Sequence, residues 1–317
     1  MRFIDVLVVA IILIVGALAA LLLLLMKGHQ SINNNYGTTD PEVFFVWDET
    51  KPLHRVDPIG LEILHQGHFT IYFPSQYRPQ AEEVAQALSQ VWQVVKHRLG
   101  LDLGDFSVVL VLLKENMGGV FIESWPRRPI PLPLVSAMKW IRVSEAPLPV
   151  RLSLYAEFPH EAAHIALGLE WQWLEEGIAE YISFMVVQEL APDLCEEYRK
   201  GRQEQVHLIL PNMTYDLTQD PPQQFRIQDQ VRIKTSSPQE IAGYGFSLAF
   251  WLQIARGHGE AVIRQFLEQA KHLQQPSKQE LARILSELTG EDVWGKLQRM
   301  NLHDALQTLE HACEAQD

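Results

Sequence analysis

The sequence predicts an α+β domain carried behind one amino-terminal apolar segment. Three observations point there. Residues 6–26 run without a charge, residues 68–113 pass from strand to helix to strand, and from residue 151 onward the pattern is mostly helical. A chain of 317 residues, 47% hydrophobic and 21% charged, is large enough to bury a proper core. Its formal charge of −13 leaves no basic face to neutralise phosphates, so no nucleic-acid partner is expected. Two cysteines, Cys195 and Cys313, are too few for a disulfide framework or a Cys-rich zinc module.

The apolar run is flanked by Arg2 and Asp5 before it and Lys27 after it. As a helix it spans about 30 Å, the depth of a bilayer core. A cleaved secretory signal has a shorter apolar region followed by a small-residue site. Here Ala17-Leu18-Ala19 is followed by more apolar residues, which favours an uncleaved single-pass transmembrane helix over residues 1–27. The sparse flanking charges lean towards an inside amino terminus and an extracytoplasmic catalytic domain. Residues 28–41, GHQSINNNYGTTDP, are small and polar and read as a linker. Residues 42–317 make up the folded domain.

Within that domain, residues 68–73 (HFTIYF) alternate as a strand does, and Pro74 closes them. Apolar residues at Val84, Leu88, Val91, Val95 and Leu99 have helical spacing, with Gly100 as the stop, so a helix is expected over residues 79–99. The continuous run FSVVLVLL at residues 106–113 reads as a buried strand, and a further short strand is expected at residues 140–143. Residues 211–240 hold four prolines and few apolar anchors, and read as one long loop. Helices follow at residues 246–256, 260–273 and 277–288, then a polar tail. Asn212 begins a single glycosylation sequon, a match close to chance in a chain of this length.

The chemistry is concentrated in HEAAH, residues 160–164. Spacing of four on a helix stacks His160 and His164 on one face, where both reach one zinc ion. Glu161 lies roughly 100° round the helix, close enough to touch a water at that metal without binding the metal itself. A catalytic zinc takes three protein ligands and keeps one position open. The stretch WQWLEEGIAEY at residues 171–181 supplies carboxylates soon after. Glu176 and Glu180 lie at i and i+4, placing a ligand and a partner for a ligating His on one face. Gly177 lets a neighbouring backbone come near. Glu175 reads as a solvated charge, with an exchange of roles between Glu175 and Glu176 left open.

HEAAH followed by WLEEGIAEY resembles the gluzincin zinc metallopeptidases, the peptidase MA-like group related to thermolysin and aminopeptidase N. The likeness is firm over residues 155–182 and looser over residues 60–295. It implies a thermolysin-like zincin catalytic domain, with a small mixed sheet, active-site helices and a helical C-terminal part. It implies His160, His164 and Glu176 as ligands of Zn2+, Glu161 as general base, and Glu180 as the carboxylate steadying a ligating His. It also suggests Tyr244 as the donor to a developing oxyanion, on the approach to a later helix; the alternative is an aromatic anchoring a turn at Gly243–Gly245. The implied activity is hydrolysis of peptide bonds in a polypeptide substrate.

The chain departs from that pattern in three places. Aminopeptidase relatives hold the substrate's amino terminus with a G-x-M-E-N segment, which Asn116-Met117-Gly118-Gly119 does not match, so an endopeptidase is expected. Pro159 must start the helix of His160 or kink it. The short link from His164 to Glu176 demands a tight turn, placed at Gly168. His54, His65 and His68 read as surface or strand-end residues, and His207 as a helix-surface histidine. Cys195 lacks the basic neighbour a nucleophile needs. The alternative function is a catalytically silent binding or assembly module on the same fold at the membrane. Oligomeric state is not legible from the sequence.

The anchor reading makes a testable prediction. The full-length protein should sediment with membranes, resist carbonate washing and keep its amino terminus. A mature amino terminus near Ala20 would identify a cleaved signal instead.

Overall fold

The computed structural model describes residues 44–48, 51–56, 61–113, 130–135, 140, 142–169, 171–209, 214–220, 224–228, 231–235 and 237–314. The predicted anchor and linker, residues 1–41, lie outside them, as do Asn116–Gly119 and the Asn212 sequon. No described helix is long and apolar enough to cross a membrane. The chain divides into two compact units, residues 1–45 with 53–58, and residues 46–52 with 59–317. Two short strands, β1 (Phe44–Asp48) and β2 (Lys51–Val56), fall at that division. The residues of HEAAH and WLEEGIAEY all belong to the second unit.

That unit begins with a four-stranded sheet in the order β3 (Leu61–Gln66), β4 (Phe69–Pro74), β5 (Phe106–Leu113), β6 (Ile130–Val135). β3 pairs with β4 antiparallel, while β4 with β5 and β5 with β6 run parallel. A parallel pair needs a crossover, and α1 (Arg78–Leu99) supplies it. Its buried stripe includes Val84, Leu88, Val91, Val95 and Leu99. Basic residues fill its last turn and Gly100 ends it in the left-handed conformation, φ 68°.

The third parallel strand is not where the sequence suggested. Residues 140, 142 and 143 are in no strand: Trp140 is buried outside regular structure and Val143–Glu145 is a 3-10 turn. Both are bound to α1, through Gln80 Nε2 to the Trp140 carbonyl at 2.8 Å and the Val143 amide to Glu83 at 3.2 Å. Their apolar character reflects packing against a helix. β6 takes the edge instead, where Pro131 and Pro133 are tolerated because an edge has one side with no ladder partner.

From residue 148 the chain is helical. α2 (Leu148–Leu152) passes through a π-helical turn, Ser153–Glu157, directly into α3 (Phe158–Leu167). Pro159 therefore lies in the first turn of α3, but that turn continues from the π-helical one and does not open an isolated helix. The wider turn before it, with the Phe158 amide bonded to the Ser153 carbonyl, absorbs the missing donor and the ring's bulk. α4 (Gln172–Leu190) is buried nearly all round and is the central helix, packed on α3 and on α6 (Pro238–His258). α5 (Cys195–Val206) also packs on α6.

Residues 211–240 are not one loop. They contain β7 (Thr214–Tyr215), the antiparallel hairpin of β8 (Gln224–Gln228) and β9 (Val231–Thr235), and the first turn of α6, capped by Ser237. The alternation of Phe225 and Ile227 with polar neighbours carried the hairpin signal. The polar tail is likewise structured: after α7 (Glu260–Ala270) and α8 (Lys278–Thr289) come α9 (Val293–Gln298), β10 (Met300–Asn301) and α10 (Leu302–Glu310).

Cys195, at the start of α5, is bonded to Cys313 just beyond α10, with Cα atoms 5.9 Å apart and the two residues 118 positions apart in sequence. Closing so long a loop restricts the unfolded chain. Replacing both cysteines with alanine should lower stability by about 2–5 kcal/mol in urea denaturation under oxidising conditions. An unchanged midpoint would mean that the bond does not form in the folded protein.

Candidate metal centre

The site is assembled by two helices and the turn between them. Phe158, at the start of α3, packs edge-on against Phe69 and Phe106 at 5.9 and 5.5 Å between ring centroids, which seats α3 on β4 and β5. α3 ends at Gly168, whose positive φ of 57° is the left-handed stop the short link required. α4 then runs back beside α3. A side chain at Gly177 would strike Trp251 and the Ser247 backbone carbonyl of α6, at 2.6 and 2.9 Å from its Cβ. The glycine thus sets the spacing of α4 and α6, one residue from Glu176.

This packing brings His160, His164 and Glu176 together. The two Nε2 atoms lie 3.1 Å apart, and each is 3.3 Å from Glu176 Oε2. Glu176 Oε2 is buried and makes no well-formed hydrogen bond. With a metal present, each Nε2 would turn a lone pair to the same point as Glu176 Oε2. The three separations match the edges of a tetrahedron about a zinc ion, about 3.3 Å for bonds of about 2.0–2.1 Å. Among the described residues this is the one group of His, Cys, Asp and Glu that fits a metal. Of the two carboxylates left open by the sequence, Glu176 stands with both Nε2 atoms, while Glu175 faces His164 Nδ1.

Each ring is held from behind. His160 Nδ1 lies 3.4 Å from Glu180 Oε1, as the resemblance implied. His164 Nδ1 lies 3.5 Å from Glu175 Oε1. Glu175 is therefore no solvated charge: its side chain is 15% exposed and turned onto the His164 ring. Around a bound metal, an outer carboxylate of this kind fixes a ring's tautomer and leaves Nε2 for the metal. One turn on from Glu175 along α4 stands Ala179, so spacing within the helix gives no sign of a contact made across to α3.

The charges are strongly coupled. Burial disfavours a charge on His164, but the carboxylates of Glu175 and Glu176 overcome it and raise its pKa to about 10 in the metal-free site. Burial likewise opposes ionisation of Glu176, and the two imidazoles hold its pKa down to about 2. Glu161 is different. Burial pushes its carboxyl above the usual range, and His160 and His164 only partly offset this.

Tyr244 does not lie on an approach or in a turn. It sits inside α6, with its ring 6.5 Å from His160 and edge-on to Trp173 at 5.8 Å. Gly243 and Gly245 are contact points: a Cβ at the first would strike Trp173, and at the second Val206 and the Arg202 carbonyl of α5. Burial and the nearby Glu176 raise the Tyr244 pKa well above 10, so its hydroxyl keeps the proton it would donate. The remaining candidates lie elsewhere. His65 bonds Thr70, His68 bonds Asp105 and stacks on Trp92, and Cys195 is in the disulfide. His207 is exposed at the end of α5, and no side-chain environment is described for His54.

No family model matches the chain, and no curated protein sequence matches it. Solved structures do. One is yeast LTA4 hydrolase in complex with bestatin, 13% identical with a TM-score of 0.48, covering 81% of this chain and 44% of that one. Another is Legionella pneumophila aminopeptidase A in complex with aspartic acid, 11% identical with a TM-score of 0.45, covering 82% of this chain and 28% of that one. The chain thus spans less than half the length of either protein.

The spacing role of Gly177 is directly testable. Gly177→Ala should cost about 1–3 kcal/mol of stability by overpacking and weaken zinc binding through displacement of Glu176. Wild-type values for both thermal denaturation and zinc titration would show that α4 and α6 have room to part.

Proposed function

We propose that the chain is a zinc-dependent metallopeptidase that cleaves internal peptide bonds. The observation that carries the reading is the convergence of His160 Nε2, His164 Nε2 and Glu176 Oε2 to 3.1–3.3 Å, with the carboxyl of Glu161 beside them. A zinc ion held by these three would lower the pKa of a water to about 7 and polarise a substrate carbonyl. Glu161, its carboxylate destabilised by burial, takes a proton from the attacking water and returns it to the leaving amine. Tyr244 donates its hydroxyl to the oxygen on which charge develops. Glu180 and Glu175 keep the rings aimed while this happens.

The endopeptidase part of the proposal rests on the sequence, which lacks the G-x-M-E-N segment used elsewhere to hold a free amino terminus. The location also belongs to the proposal: residues 1–27 tether the enzyme to a membrane, and the catalytic domain lies on the extracytoplasmic side. The Cys195–Cys313 bond supports that side, because such bonds persist in oxidising compartments.

One experiment with the full-length protein separates the parts. Wild type should hold about one zinc per chain, lost in His160→Ala, His164→Ala and Glu176→Ala. Glu161→Gln should keep the metal and lose turnover on blocked peptides by about 100-fold or more. Zinc retained in all three ligand variants would sink the site. Release of single amino-terminal residues, with blocked peptides left intact, would make the protein an aminopeptidase.

A further inference from the structure

Glu180 offers two oxygens, and the site described so far uses one. Oε1 faces His160. Oε2 points away from the metal point into α5, where Arg202 Nε lies 2.6 Å from it and the Tyr198 hydroxyl donates to it. Tyr198 and Arg202 are four residues apart, one turn of α5, so a single helix face delivers a hydroxyl donor and a cation. The two also hold each other: the guanidinium lies over the Tyr198 ring at 4.8 Å, and Arg202 Nη2 reaches the hydroxyl at 3.4 Å. The Glu180 side chain is 2% exposed, so water does not substitute for these partners.

Backbone packing explains why α5 comes near enough. Gly245 on α6 meets α5 at the Arg202 carbonyl and Val206, where a Cβ would come within 2.7 and 2.4 Å. α5 is pressed onto α6 at the level of Arg202, and its side chain can then cross to α4. Neither residue stands in HEAAH or WLEEGIAEY, and nothing in the spacing of those motifs requires either.

We propose that Arg202 and Tyr198 are positioning residues of the metal centre. They clamp the Glu180 carboxylate in the orientation that presents Oε1 to His160 Nδ1, and so aim the His160 Nε2 lone pair at the point shared with His164 and Glu176. The inference rests on the zinc reading above. A carboxylate held at one oxygen only can swing about its side-chain torsions, and the ring it steadies swings with it. Partners of this kind behind a ligand change metal affinity by about 10–100-fold.

The test is zinc affinity, measured on the full-length protein by competition with a chromophoric chelator, alongside the melting temperature of the metal-free form. Arg202→Met keeps the length and apolar stem of the side chain and should weaken zinc binding at least about tenfold. Tyr198→Phe keeps the ring and removes one donor; its loss should be smaller but in the same direction. Arg202→Lys restores a cation and should recover part of the affinity lost in Arg202→Met. The decisive measurement is a double-mutant cycle with Glu180→Ala. If Arg202 acts through Glu180, Arg202→Met added to Glu180→Ala should lower zinc affinity no further.

Additive losses in the cycle would overturn the proposal. So would a lower melting temperature in Arg202→Met and Tyr198→Phe with zinc affinity at the wild-type value, since that is what a purely structural contact gives. If Arg202→Met does not fold, Tyr198→Phe and Arg202→Lys decide the matter alone. Wild-type protein that binds no zinc would refute the metal centre itself, an outcome distinct from a wild type that binds it and variants that bind it equally well.

Discussion

Two imidazole nitrogens and a carboxylate oxygen, contributed by two different helices, are held within 3.3 Å of one another in a buried site. Polar groups taken out of water need their positions fixed by the packing around them. Much of the second unit can be understood as that packing. Phe158 fixes α3 to the sheet, Gly168 reverses the chain in the smallest space, and Gly177 lets α4 lie against α6. The nearly all-round burial of α4 follows, because a helix that must present Glu176 on one side and meet α6 on another has little surface left for solvent.

Charge is the second constraint. Glu161, Glu175, Glu176 and Glu180 lie within or just around a small buried volume. Such a group would repel itself unless each member had an opposing partner. Glu175, Glu176 and Glu180 have imidazoles, and Glu180 has Arg202 as well. Glu161 is pushed above the usual carboxylate range by burial, and the charges of His160 and His164 only partly offset this. An acid–base group would need that property, and burial supplies it here.

Local patterns in the sequence told most where the interaction is local. The helix of Val84 to Leu99, the strand FSVVLVLL, the turn at Gly168 and the shared face of Glu176 and Glu180 all follow from spacing along the chain. What spacing missed depends on elements distant in sequence. Trp140 and Val143 have the apolar character of a strand but spend it on α1. Tyr244 lies between two glycines, which suggests a turn, yet those glycines exist because Trp173 and α5 press against α6. Arg202 and Tyr198 stand in a strongly charged helix with no motif around them, and only the neighbour across the interface gives them meaning.

The bond between Cys195 and Cys313 also partitions the protein covalently. His160, Glu161, His164, Glu176 and Glu180 lie before the ring it closes, while Tyr198, Arg202 and Tyr244 lie inside it. A single backbone cut anywhere in residues 196–312, for example between β8 and β9, would therefore release nothing. The two pieces would travel together until the sulfurs were reduced. The segment that carries HEAAH and WLEEGIAEY thereby stays joined to the helices packed against it, even after the chain has been nicked.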